Sequence, residues 1–213
     1  IKCGNSLIGP DFFHGQQDAF DEEESYRINA FDWKTEFSTI MKNGGFDAVI
    51  GNPPYVRQES LGEFKDYFQR TYKAYTGTSD LYVPFIEKGV SLLCADGLFS
   101  YIVANKWMRA NYGAALRQWL KTQCVEEIVD FGDLPVFKQA TTYPCILRIA
   151  KRDPGEEIQA VNVRNLEFVN LDTCVADERF SIAVSSLQDD GWTLTRRERH
   201  ALLSKIREKG MPL

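Results

Sequence analysis

Residues 46–55 read Phe-Asp-Ala-Val-Ile-Gly-Asn-Pro-Pro-Tyr, and this stretch decides the fold. Segment 46–50 is short and apolar and follows two glycines, which is typical of a buried strand in a parallel sheet. Gly51 ends that strand. The sequence therefore predicts a strand that runs directly into the turn 52–55.

The turn has the groups needed to hold a planar amino group. Pro53 and Pro54 lack backbone N–H donors, and Pro54 restricts Pro53 to extended geometry, so their carbonyls are left without local partners. Asn52 adds a side-chain acceptor and Tyr55 an aromatic face. Ligands of open α/β folds bind at the carboxyl ends of strands, so these groups suit a flat ring bearing an NH2 group. An ordinary proline turn with a surface tyrosine is the alternative.

Composition indicates a globular protein. The 213 residues are 44% hydrophobic, carry a net charge of -5 and contain no apolar run of membrane-spanning length. The first residue is not methionine, and we expect an excised fragment. An odd number of widely spaced cysteines without a Cys-x-x-Cys pair predicts reduced core thiols and a cytoplasmic location. These are Cys3, Cys94, Cys124, Cys145 and Cys174. Two isolated histidines give no metal-site spacing.

Strand and helix patterns alternate after the turn. The pattern predicts a helix over 81–93 that Ser79-Asp80 caps and Asp96-Gly97 stops, a strand over 98–104, a helix opened by Asn111 and Gly113, and strands over 125–131 and 143–150. This β-α-β-α-β order predicts an α/β fold with a largely parallel sheet.

The charged turn 151–155 is predicted to end the compact domain, which gives a domain over 1–151 and a connecting segment over 152–213. Within that segment, 156–187 reads as irregular and partly β, and 193–209 as a basic helix. The basic helix could lie along a phosphate backbone or be a solvated amphipathic helix. The acidic run 21–24 is most simply a solvated loop.

Several motifs together resemble the amino-methyltransferase part of DNA adenine-N6 methyltransferases, particularly the gamma-class enzymes and their type IIG restriction-modification relatives. In order, the matching segments are 3–7 for the third motif, 52–55 for the fourth and catalytic motif, 79–88 for the fifth, 97–108 for the sixth and 136–147 for the eighth. The resemblance spans roughly residues 1–151.

The resemblance implies a partial, Rossmann-like S-adenosylmethionine-dependent methyltransferase fold that contains the C-terminal half of the sheet. It also implies methyl transfer from S-adenosylmethionine to a flipped-out adenine in double-stranded DNA, as part of a restriction-modification system. Carried over motif by motif, the catalytic residues are Asn52, Pro53, Pro54 and Tyr55, and Tyr55 and Phe137 flank the target base. The cofactor-binding residues are Asn5, Ser6, Asp80 and Tyr82, and the candidate DNA-binding residues are Lys106, Arg109, Arg196 and Arg197.

The chain also departs from the family pattern. The glycine-rich first motif does not occur, Asn5 stands where many relatives have Asp, and Ser6 replaces a frequent aromatic residue. We therefore expect an incomplete S-adenosylmethionine site and weak binding by the fragment alone. The target-recognition domain is also expected to lie outside the chain, so the recognised DNA sequence does not follow from these residues.

Three other interpretations stay open at this point. Glutamine-N5 methyltransferases that act on proteins use the same Asn-Pro-Pro-Tyr turn to hold an amide NH2. A catalytically inactive DNA-binding scaffold and a purely structural α/β domain would also preserve the fold.

Overall fold

The computed structural model describes residues 1–14, 22–137 and 142–196. The helices of these residues are α1 (Glu22–Ile28), α2 (Trp33–Glu36), α3 (Ser38–Lys42), α4 (Lys65–Thr71), α5 (Tyr82–Ser91), α6 (Ala114–Leu120) and α7 (Leu171–Glu178). The strands are β1 (Phe46–Gly51), β2 (Leu93–Ala104), β3 (Cys124–Asp130), β4 (Pro144–Ala150), β5 (Glu157–Asn162) and β6 (Phe180–Ala183).

The strands form one mixed sheet in the order β1-β2-β4-β3-β5-β6. β1, β2, β3 and β5 point in the same direction, but β4 runs antiparallel between β2 and β3, and β6 runs antiparallel beside β5. The prediction of a largely parallel sheet is therefore right about the common direction of these four strands. It is wrong about which strands are hydrogen-bonded to each other. Insertion of β4 is the reason, because it separates two strands that would otherwise pair in parallel.

The boundary between α5 and β2 differs from the prediction. The helix ends at Ser91 and the strand begins at Leu93, before the Asp96-Gly97 pair that was expected to stop the helix. Asp96 has a φ of 60°, and the pairing with β1 shifts register between Phe46 and Ala48. Asp96 and Gly97 therefore lie in an irregular, bulged part of β2.

The predicted cap of α5 is also wrong. The residue before the helix is Leu81, and no side chain caps it. The Ser79 hydroxyl instead accepts a hydrogen bond from the Thr76 backbone N–H at 3.1 Å and is buried. Ser79 therefore stabilises the turn 76–79 that leads into the helix.

β1 lies at one edge of the described sheet and is not the buried strand that was predicted. Asp47, Ala48 and Ile50 are exposed, and Ile50 keeps 85% of its surface accessible. Among the described residues β1 has one neighbouring strand, β2, so one side of its backbone is unpaired. An apolar run does not reveal whether one or two strands flank it.

The main core lies between the sheet, α5 and α6, and it extends past residue 151. Ile158, Ile182, Leu187 and Trp192 belong to the same cluster of buried side chains as α5 and β2. The charged turn 151–155 therefore connects two strands of one sheet, and the prediction that it ends the compact domain is wrong. Segment 156–187 is partly β, as expected, and includes α7, which was not predicted. The functional division of the chain at residue 151 stays a prediction.

All five cysteines are free thiols, in agreement with the prediction. Their expected location in the core is right for Cys124 and Cys145, which are buried, and wrong for Cys3, which is exposed. In the part of the chain that the structure describes, every helix is too short or too polar to cross a bilayer.

Candidate active site

The loop that follows β1 presents unpaired hydrogen-bond acceptors. Asn52 is exposed, and its side chain has no partner among the described residues. Pro53 is buried and Pro54 exposed, and no described N–H donates to the carbonyl of either. Gly51 makes room for the Tyr101 ring just before the loop, because a Cβ there would lie 2.9 Å from that ring and would displace it. The backbone therefore leaves the sheet as the sequence predicted.

Tyr55, the last residue of this loop, lies next to Phe137. Their ring centroids are 6.3 Å apart with an interplanar angle of 65°, which is an edge-to-face contact. A base stacked between two rings needs parallel faces about 7 Å apart, so one ring has to turn before a base can enter. The structure brings the two predicted residues together, and their roles toward a base stay predictions.

Tyr55 is anchored and neutral. Its hydroxyl donates to the Ile102 carbonyl of β2 at 3.4 Å, and 37% of its surface is exposed. Burial, with a smaller effect of nearby Cys145, raises the pKa of Tyr55 to about 12. The phenol therefore keeps its proton at neutral pH and offers an uncharged aromatic face.

The segment 5–8 packs beside the motif loop. The backbone of Asn5 forms an isolated parallel β-bridge with Ala30. The Asn5 side-chain oxygen accepts a 3.4 Å hydrogen bond from the Leu7 backbone N–H. The Ser6 carbonyl accepts from the Trp33 indole at 3.0 Å. Leu7 and Ile8 share a buried cluster with Val56, which directly follows the motif loop 52–55, and with Leu81 before α5. This packing places the third-motif segment near the loop after β1.

Asp80 adjoins the same loop, whereas Tyr82 does not face it. The neighbouring Leu81 N–H donates to the Val56 carbonyl at 3.0 Å, and Asp80 is half-buried. Burial raises the pKa of Asp80, and Lys106 is near enough to oppose that shift. Tyr82 is 1% exposed, and its hydroxyl lies 3.3 Å from that of Tyr112, so its side chain belongs to the core.

Lys106 and Arg109 are exposed in and just after the 3-10 turn Asn105–Met108, which follows β2. Arg117 holds this turn from beneath: its buried guanidinium donates to the carbonyls of Trp107 at 2.5 Å and Ala110 at 2.9 Å. The two predicted cations therefore lie on a fixed backbone at the carboxyl edge of the sheet.

The basic segment near residue 196 lies elsewhere. Arg196 is 3.9 Å from the Glu178 carboxylate and stacks over the Phe180 ring, so its charge has a partner on the chain. Arg197 and most of the predicted basic helix lie outside the described residues. Contact of either arginine with DNA stays a prediction.

Three polar residues to which the sequence motifs assigned no role meet at the carboxyl ends of β2 and β3. The Asn105 side-chain amide donates to Asp130 Oδ1 at 2.8 Å, and the Asn105 backbone N–H donates to the Tyr143 carbonyl at 2.7 Å. Asn105 directly follows β2, Asp130 ends β3 and Tyr143 precedes β4. Polar residues at strand ends were the available signal, but the strand order was needed to show that they converge.

Comparison with known proteins identifies related methylases. The family model described as Eco57I restriction-modification methylase matches residues 4–137. The type II restriction enzyme and methyltransferase RM.Eco57I of Escherichia coli is 28% identical over 204 residues, which cover 92% of this chain and 19% of that protein. The type II methyltransferase M.PaeR7I of Pseudomonas aeruginosa is 36% identical over 127 residues, which cover 56% of this chain and 21% of that protein.

Among solved structures, the methyltransferase subunit of a type I restriction-modification system from Streptococcus thermophilus matches with a TM-score of 0.54 at 14% identity. That match covers 74% of this chain and 38% of the other and shows a shared fold. The chain spans about a fifth of the length of the two curated relatives.

Proposed function

This chain belongs to the Eco57I restriction-modification methylase family, and on that premise we propose that it forms the target-base side of a DNA adenine-N6 methyltransferase. The observation that carries the proposal is the loop 52–55: an exposed amide and two carbonyls without described donors lie beside the Tyr55 and Phe137 rings. Acceptors next to aromatic faces are the combination that an amino-bearing base requires.

Methylation of adenine N6 depends more on hydrogen-bond acceptors for the amino group than on a side chain that removes its proton. The lone pair of adenine N6 is delocalised into the ring, and hydrogen bonds from N6 to the Asn52 oxygen and the Pro53 carbonyl would favour a more tetrahedral nitrogen. Placement and electrostatic stabilisation of this kind are recognised sources of catalysis. Held by these acceptors, N6 would take up a methyl group from bound S-adenosylmethionine, whose sulfur would leave as a neutral thioether, and N6 would then release a proton to water.

S-adenosylmethionine, when bound, supplies a methyl group on a positively charged sulfur. The described residues fit one side of such a ligand, because the half-buried Asp80 carboxylate accepts a backbone hydrogen bond from Gln58, shortly after the loop 52–55. Asn5 lies two residues before Leu7, which shares a buried cluster with Val56. We assign Asn5, Ser6 and Asp80 to that side. Tyr82 would support it from the core, since its ring is not exposed.

Double-stranded DNA is the proposed partner. Lys106 and Arg109 are exposed on the edge of the sheet that also carries the motif loop, where they can meet phosphates. A flipped adenine has to leave the duplex, at about a few kcal/mol of unstacking, before it reaches the loop. Arg196 is a weaker candidate for phosphate contact, because it already pairs with Glu178. Arg197 is proposed from the sequence alone.

The test is methyl transfer from labelled S-adenosylmethionine by the complete protein that carries this sequence, with duplex DNA and a release-factor protein as competing acceptors. Asn52→Ala should lower the rate about 10²–10³-fold, as loss of a transition-state hydrogen bond does in other enzymes. Asn43→Ala is the matched control, because Asn43 is exposed just after α3.

Nucleoside analysis of the product then identifies the acceptor. Label in N6-methyladenine supports the proposal. Label in methylcytosine would contradict the adenine assignment, and label in protein alone would favour glutamine methylation. DNA binding without methyl transfer would indicate an inactive scaffold.

A further inference from the structure

A second cavity lies beside the proposed target-base pocket. Its volume is about 370 Å³, within the range of small-ligand sites. Tyr55 donates to the Ile102 carbonyl, three residues before Asn105 on the same stretch of chain, so the two sites are neighbours. The lining residues are Asn105, Lys106, Met108, Arg109, Ala110, Asp130 and Tyr143.

One oxygen of Asp130 is fixed and the other is free. Oδ1 accepts from the Asn105 amide at 2.8 Å and from the Gly132 N–H at 3.0 Å. Oδ2 has no hydrogen-bond partner among the described residues. The two donors hold the carboxylate in place, so Oδ2 is an oriented acceptor on the cavity wall.

Tyr143 contributes an aromatic surface. Its carbonyl accepts from the Asn105 N–H at 2.7 Å, which fixes the backbone, while 41% of the residue is exposed. A partly exposed aromatic residue with a fixed backbone can stack with a base at little entropic cost.

Positive charge lies at the same cavity. Lys106 and Arg109 are both exposed, and neither is paired with a carboxylate among the described residues. Asp130 disfavours a simple anion on the wall, and one carboxylate is too few for a hard divalent cation, which takes about six oxygen ligands. A ligand with an amino group, a flat ring and a phosphate satisfies all the groups present.

We propose that this cavity binds a second nucleotide of the DNA substrate, one whose base carries an exocyclic amino group. Asp130 Oδ2 accepts from that amino group, Tyr143 stacks on the base, and Lys106 and Arg109 contact the phosphate. The inference rests on the proposed function and adds a specificity contact outside the loop 52–55. Asp and Glu accept in this way from base amino groups in DNA complexes.

The test measures DNA binding by the complete protein with fluorescence anisotropy. Asp130→Asn keeps an oxygen for the Asn105 and Gly132 donors but presents an NH2 group at the position of Oδ2. We expect about 10-fold weaker binding, the loss that accompanies one broken base contact. Asp133→Asn is the control, because Asp133 is exposed in the same loop and carries the same charge.

The base is located by scanning the duplex with analogues that lack one amino group. At one position, loss of the amino group should weaken binding by the unmodified protein about 10-fold. The same analogue should not weaken binding by the Asp130→Asn variant any further, because that variant has already lost the contact. Tyr143→Leu, a change at a partly exposed ring, should weaken binding at the same position.

The outcomes separate the two proposals. If Asp130→Asn and Asp133→Asn bind every analogue alike, the second nucleotide site is wrong, although Asn52→Ala can still abolish methylation. If Tyr143→Leu and Asp130→Asn affect different positions, the shared-nucleotide geometry is wrong. If the unmodified protein binds no duplex and methylates none, the proposed function fails and this inference with it.

Discussion

Replacement of Trp192 by alanine tests whether the segment after residue 151 is part of the catalytic fold. Trp192 is 1% exposed, and its ring centroid lies 5.4 Å from that of Trp107. Its backbone N–H donates to the Met108 carbonyl at 2.7 Å. Trp107 and Met108 belong to the 3-10 turn that also carries Lys106. The tryptophan therefore connects the end of the described chain to the proposed DNA-facing edge.

The expected loss follows from the buried surface. A buried tryptophan removes about 150–250 Å² from water, and at about 25 cal/mol per Å² this corresponds to about 4–6 kcal/mol. Measured Trp→Ala changes in cores cost about 3–5 kcal/mol, so we expect about 4 kcal/mol for Trp192→Ala. At roughly 2 kcal/mol per M of urea, the unfolding midpoint falls by about 2 M.

The assay is urea unfolding of the 213-residue chain followed by circular dichroism. Trp192→Phe should lose much less stability than alanine, because the ring contact is kept and the buried indole N–H has no described partner to lose. Val169→Ala, at a fully exposed position, should stay within about 0.5 kcal/mol. A loss below about 1 kcal/mol for Trp192→Ala would refute the claim that the segment is packed into the core.

Three further predictions concern packing, hydrogen bonding and pH. Gly113→Ala should destabilise the fold by about 1–3 kcal/mol, because the added Cβ would lie 2.0 Å from a backbone carbonyl oxygen. Gly77→Ala is the control, since a Cβ there meets nothing within 4 Å. Equal thermal midpoints for the two variants would contradict the reasoning. Arg117→Ala should cost about 3 kcal/mol in chemical unfolding, because it removes the donor to the buried Trp107 carbonyl and to the partly buried Ala110 carbonyl. Arg27→Ala, which breaks an exposed ion pair with Glu63, should cost at most about 1 kcal/mol. Burial raises the pKa of Tyr55 from 10.0 to about 12, so the folded state holds the phenol proton more tightly than the unfolded state does. The contribution of this difference to stability is therefore complete below pH 10 and is lost as the pH rises from 10 toward 12. Stability of Tyr55→Phe relative to the unmodified chain should therefore rise above pH 10, and a constant difference up to pH 12 would show that prediction to be wrong.

Local patterns predicted the elements well. The strands at 125–131 and 143–150 are observed one residue away, as β3 (Cys124–Asp130) and β4 (Pro144–Ala150). The helix predicted to be opened by Asn111 and Gly113 is observed as the 3-10 turn Asn111–Gly113 followed by α6 (Ala114–Leu120). Apolar periodicity and glycine or proline boundaries suffice for such elements, because they depend on neighbours close in sequence.

Errors occurred where a distant partner decides the local structure. Leu93 pairs with Phe46, which draws the start of β2 back and turns the expected helix stop at Asp96 into a bulge. Ser79 binds its own turn instead of α5. Hydrogen-bond partners of these kinds are set by tertiary packing, and propensity alone does not identify them.

The sequence by itself determined the turn at Asn52–Tyr55, because two prolines remove donors and fix backbone geometry whatever surrounds them. It also determined membership of a methylase family through the order of its motifs. The tertiary structure alone decided that β4 enters between β2 and β3 and so brings Asn105 and Asp130 within 2.8 Å. Strand order depends on long-range backbone pairing, and residues 25 positions apart become neighbours only when that pairing is complete.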